Sequence, residues 1–173
     1  MTRVVLVPGV LALLPAYASL EDPVADLRAA CLAAVTWLGP DPVVLADAQG
    51  ARVAAALLAA CTEPLVEAPG PLGPSLAATA EASYLVVGNG SARRTEKAPG
   101  HLDERAAAYD DALRAALTSG DGDLPDLEVG RSLLASLDGI DRLADLLPPG
   151  VGARVDYDDD PFGVQYWVLR WQW

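Results

Sequence analysis

The stretch Ser83-Tyr84-Leu85-Val86-Val87-Gly88-Asn89-Gly90-Ser91 sets the fold class, because a run of strand-forming residues passes without a break into a glycine-rich loop. A short apolar run of this kind predicts a buried strand, and in open α/β sheets ligands bind beyond the carboxyl ends of such strands. Working outward, Arg3 to Val7 is a second β-branched run, closed by Pro8-Gly9, and Val43-Val44-Leu45 is a third. Between them a helix begins at a capping Asp22 with Pro23 in its first position. Val24, Leu27, Ala30, Cys31, Ala34, Val35 and Leu38 share one face, and Gly39-Pro40 stops it. Ala51 to Ala60 is a second helix, Pro64 to Val66 at most a short edge strand, and Ala68 to Pro74 a loop before a short alanine-rich helix. Ala106, Tyr109, Leu113 and Leu117 predict a helix over Asp103 to Thr118 with Gly120 beyond its end. Leu127 to Leu147 is helical with a break near Asp138-Gly139. Gly152 to Tyr157 and Val164 to Trp171 are strands of a C-terminal hairpin joined through Asp158-Asp159-Asp160-Pro161-Phe162-Gly163. Alternating strands and helices predict a single α/β domain over residues 1–173, in three α/β/α layers around a mixed, mostly parallel sheet.

The composition narrows the chemistry. Twelve basic against 24 acidic residues give a net charge of −12, which opposes phosphate and argues against nucleic acid as a partner. With 52% hydrophobic residues the 173-residue chain has ample material for a core. No apolar stretch reaches the ~18 residues of a membrane span, so no membrane partner is expected. Met1-Thr2-Arg3, the apolar residues to Leu14 and Ala16-Tyr17-Ala18 imitate a secretory signal, but Pro8-Gly9 interrupts them as a strand followed by a loop would, and a cytoplasmic location is expected. Cys31 and Cys61, both in alanine-rich apolar stretches, are read as free buried thiols rather than a disulfide.

Four features bear on function. Asn89, Ser91, Arg93, Arg94 and Lys97 form a loop suited to a small anionic ligand, a carboxylate or phosphate; the alternative is that these cations pair with surrounding acids and hold the loop in place. His101, the only histidine, is the one candidate for imidazole acid–base catalysis; the alternative is a surface residue. Asp47, and Asp156 with Asp158, Asp159 and Asp160, are candidate ligands for a hard cation; an Asp-rich solvated turn is the alternative. In the last strand Trp167, Leu169, Trp171 and Trp173 alternate with Val164, Tyr166 and Val168, predicting burial on both faces, or else a homo-oligomer contact through the terminal Trp171 and Trp173.

The run Gly88 to Ala106, with Tyr109-Asp110, Tyr157-Asp158-Asp159 and Pro161-Phe162-Gly163-Val164, resembles proteins similar to the catalytic B subunit of class III extradiol ring-cleavage dioxygenases. Val7-Pro8 to Leu14-Pro15 and Leu27 to Cys31 are similar to the same group, while Ala46 to Ala82 looks shortened. The resemblance implies a three-layer α/β fold and, in active relatives, a non-haem Fe(II) held by two histidines and a carboxylate, with a further histidine as acid/base. At the matching places this chain has Pro8-Gly9-Val10, Ala46-Asp47-Ala48-Gln49 and Ser91-Ala92-Arg93. One histidine cannot build a site with two, so no cofactor is expected. The first expectation is a non-catalytic binding domain. The alternatives are a metal-dependent oxidoreductase using Asp47 or Asp158 and Asp159 with His101 as base, and an assembly subunit.

Overall fold

Pleating sorts the apolar side chains of the sheet into two cores, one on each face. The computed structural model describes residues 1–17, 22–62, 82–120 and 123–173. In it β1 (Arg3–Val7), β2 (Val43–Leu45), β3 (Ser83–Val87), β4 (Arg154–Asp159) and β5 (Tyr166–Gln172) form one sheet in the order β2-β3-β1-β5-β4. β2, β3 and β1 run parallel, whereas β5 pairs antiparallel with both β1 and β4. Val5, Val7, Leu85, Val87, Tyr166 and Val168 face α1 (Ala25–Leu38) and α2 (Ala48–Cys61). Val4, Leu6, Val86, Trp167, Leu169 and Trp171 face α3 (Arg105–Ser119), α4 (Leu127–Ser132) and α5 (Asp138–Ala144). The fold is therefore α/β in three layers, with a parallel centre and a C-terminal antiparallel hairpin, as the sequence predicts.

The two-sided burial expected of the last strand holds, since β5 is flanked by β1 and β4 and sandwiched between helices. Trp167 is fully buried, and Trp171 is 1% exposed with its indole N–H donating to Leu117 O at 3.2 Å. Trp171 is thus a core residue of this chain, and the expectation that it forms a subunit contact is corrected. The rims of the sheet are poor templates for another strand: β2 has three residues, and β4 carries Asp156, Asp158 and Asp159 with a bulge between Val155 and Tyr157. At the start of β1, the guanidinium groups of Arg3 and Arg170 lie 5.5 and 5.1 Å from the Trp37 ring centre near the end of α1. Arg3 also donates to Trp37 O, and Arg170 pairs with Asp156.

Several boundaries differ for physical reasons. Helix α1 starts at Ala25, with Asp22 Oδ1 accepting from Val24 N in the turn before it rather than capping at Pro23. Helix α2 starts at Ala48, because Asp47 Oδ1 accepts from Gly50 N at 2.6 Å and caps it. The break in the last helical region, expected near Asp138-Gly139, lies immediately before it at 133–137. Leu134 takes a left-handed φ of 61°, while Ala135 N donates to Gly130 O and Leu134 N to Arg131 O, a helix stop usually built on glycine. Gly139 lies inside α5, where a Cβ would fall 2.7 Å from Leu45 O; it is a close-approach glycine and not a breaker. Asp158 and Asp159 belong to β4 and not to the turn. The expected edge strand at Pro64 to Val66, the loop after it and the alanine-rich helix lie outside the described residues. Cys31 and Cys61 are free thiols, with burial pushing Cys31 up to about 12. No helix among the described residues is long and apolar enough to cross a membrane.

Replacing Trp171 by Ala is expected to cost about 3–5 kcal/mol of stability in urea unfolding, by loss of a buried aromatic, while leaving the mass by light scattering unchanged. A fall in mass with stability retained would restore the interface role.

Candidate functional site

At the carboxyl edge of the sheet β1 turns away at Pro8-Gly9, and the chain beyond β3 takes its place beside the start of β5. Gly88 N donates to Val7 O at 3.0 Å; two residues later Gly90 N donates to Gln165 O and Gln165 N to Ser91 O, both at 2.9 Å. Gly90 is required here, because a Cβ would sit 2.6 Å from Asp110 Oδ1 and 2.8 Å from Trp167. That close passage presents Ser91 to Asp110 on α3. Asp110 Oδ1 accepts from Ser91 N at 2.8 Å, and Oδ2 accepts from Ser91 Oγ at 2.6 Å and from Arg94 Nη1 at 3.2 Å. Arg94 Nε in turn donates to Asp160 Oδ2 at 2.5 Å, tying the loop to the turn between β4 and β5.

Asp110 is 1% exposed and Ser91 fully buried, so this is an interior network. Burial raises the Asp110 carboxyl above the ordinary aspartate value, and outweighs the hydrogen bonds from Ser91 and the charge of Arg94, which act the other way. Ser91 has its N–H and O–H both committed to Asp110. Of the loop cations, Arg94 lies between Asp110 and Asp160, while Arg93 stands 4.0 Å from Asp103 and its buried Nε has no hydrogen-bond partner among the described residues. Asp103 is itself held down to about 2, chiefly by hydrogen bonds from the Arg105 side chain and backbone. Asn89 is buried, its Nδ2 donating to Gly90 O and its backbone bridging to Ser136. Lys97 is exposed and has no acidic partner among the described residues.

The other candidates are dispersed. His101 is exposed, with a left-handed φ of 57°, and its imidazole makes no hydrogen bond among the described residues. Asp47 caps α2 beyond β2, whereas Asp158 and Asp159 lie on β4 at the opposite edge of the sheet. Four strand spacings of ~4.8 Å separate those edges, roughly 19 Å, so these aspartates cannot share one ion. Asp158 accepts from Gln165 Nε2 at 2.9 Å and pairs with Arg114 at 2.6 Å. Among the described residues no three His, Cys, Asp or Glu side chains converge to hold a metal ion.

Between α3 and the end of β4 the network borders a polar cleft of about 230 Å³. Five carboxylates line it, those of Asp110, Asp111 and Asp158 to Asp160, against the two guanidinium groups of Arg94 and Arg114. The floor is Gln165 and Trp167, whose indole N–H has no partner among the described residues. Asp110, the residue on which the loop hangs, was not singled out as a site residue from sequence. Its signal is position: it falls four residues after Ala106 and three before Leu113, inside the apolar stripe of α3, where a lone acid calls for buried partners.

Comparison with family models, with curated proteins and with solved structures finds no match to this chain.

Asp110→Ala strands the Ser91 donors and Arg94, and is expected to destabilise by about 3–5 kcal/mol, with Asp110→Asn costing less. The pH dependence has a definite sign. A folded carboxyl titrating above its unfolded value binds its proton more tightly in the folded state, so stability falls as pH rises through the folded value. Relative to Asp110→Asn, which does not titrate, the wild type should therefore gain stability as pH drops from neutral toward the ordinary aspartate range in urea-unfolding series. A gap between the two proteins that stays constant with pH contradicts this.

Proposed function

We propose that this chain is a cytoplasmic, extradiol-dioxygenase-like domain that performs no ring cleavage and binds a small polar molecule at the carboxyl edge of its sheet. The observation that carries this proposal is what stands at the three strand-end places where the resemblance implies histidine. Gly9 has no side chain, and its carbonyl accepts from Gln49 Nε2 at 2.8 Å. Asp47 is committed to the first turn of α2. Ala92 offers only a methyl group, and its backbone is bonded to Leu133 and Gly100.

The Fe(II) implied by the resemblance does not fit these residues. Its ligand set requires two imidazoles and a carboxylate on adjacent strand ends, and the only histidine is the exposed His101. No step of oxygen activation is therefore assigned to this chain. Arg94 is paired with Asp110 and Asp160 and the adjoining cleft is rich in carboxylates, which supports a polar rather than an anionic ligand there.

Protein purified anaerobically and supplied with Fe(II) is expected to retain no stoichiometric iron and to consume no oxygen with catechol. One iron per chain together with catechol-dependent oxygen uptake contradicts the proposal.

A further inference from the structure

We propose that the cleft between α3 and β4 receives the ammonium or guanidinium head of a small organic cation, an inference that rests on the reading of the chain as a binding domain. The first ground is an unbalanced charge. Arg94 is shared by Asp110 and Asp160, and Arg114 is paired with Asp158, while Asp111 and Asp159 have no cationic partner among the described residues. The second ground is independent of charge. Gln165 is 5% exposed, and its amide nitrogen is taken up by Asp158, Asp159 and Tyr166. Its Oε1 accepts no hydrogen bond among the described residues, which leaves an unused acceptor on a residue that lines the cleft.

An unused amide oxygen beside unpaired carboxylates selects for a guest that brings N–H donors and positive charge together. An anion would meet five carboxylates, and no three acidic groups among the described residues converge as metal ligands. A cleft of about 230 Å³ admits a small amine or guanidine and not a folded partner. Ammonium and guanidinium share the chemistry these groups recognise, and the two probes below separate them.

The test titrates n-butylamine and n-butylguanidine, each with a single cationic head, into the full chain by calorimetry at physiological salt. Saturable one-to-one binding of at least one is expected, weakened about tenfold or more in the double variant Asp111→Asn, Asp159→Asn, since both unpaired charges are then removed. Arg114→Gln, which frees the Asp158 carboxylate, is expected to tighten binding. Both substituted aspartates are exposed, so the double variant should unfold at the wild-type urea midpoint. Absence of saturable binding, unchanged affinity in the double variant, displacement by equimolar Mg²⁺, or saturable binding of inorganic phosphate in place of the amines would each overturn the inference. None of these results touches the absence of ring cleavage, which is read from iron content and oxygen uptake.

Discussion

One buried carboxylate organises the carboxyl edge of this protein. Asp110 reaches from α3 into the interior and takes the N–H and O–H of Ser91 together with one arm of Arg94. A buried acid without partners would cost several kcal/mol, so the loop after β3 must follow a path that delivers those donors. Gly90 makes the path available, because any side chain there would collide with Asp110, Gln165 or Trp167. The turn between β4 and β5 is then fixed in its place, through Arg94 to Asp160 and through the backbone of Gln165.

This arrangement gives the basic cluster a meaning different from its appearance. Against a net charge of −12, three cations within five residues suggest a place for an anion. Arg94 is instead an internal counterion of Asp110 and Asp160, and the cleft beside it is lined by five carboxylates. Five of the 24 acidic residues thus meet two of the twelve basic ones at this cleft. Arg94 ties the loop both to α3 and to the turn between β4 and β5.

Much of the architecture was legible because it rests on periodicity. The run Ser83 to Val87, the alternation of Trp167, Leu169 and Trp171, and the apolar stripe of α3 each follow from a repeat that one face of an element must bury. What escaped rests on contacts between distant residues. The stop of α4 uses Leu134 where glycine is usual, so the sequence points to Asp138-Gly139 just beyond it, and Gly139 instead lets α5 approach the ends of β2 and β3. Asp47 and Asp158 look alike as acids in a sequence, yet the strand order puts them on opposite edges. Asn89, Ser91, Arg93, Arg94 and Lys97 stand out in the sequence because glycines and cations are unusual together, and of these Ser91 and Arg94 bond to Asp110. Asp110 is marked as buried by its place in the apolar stripe of α3, but nothing local tells an acid on a helix which donors it will meet.

Hydrogen exchange of the Ser91 amide tests this account most directly, since that N–H donates to the carboxylate on which the loop depends. The prediction is exchange as slow as in the strand amides of β3, becoming fast in Asp110→Ala even under conditions where β3 remains protected. A Ser91 amide that exchanges in the wild type at the rate of an exposed loop, or one that stays protected without Asp110, would contradict it.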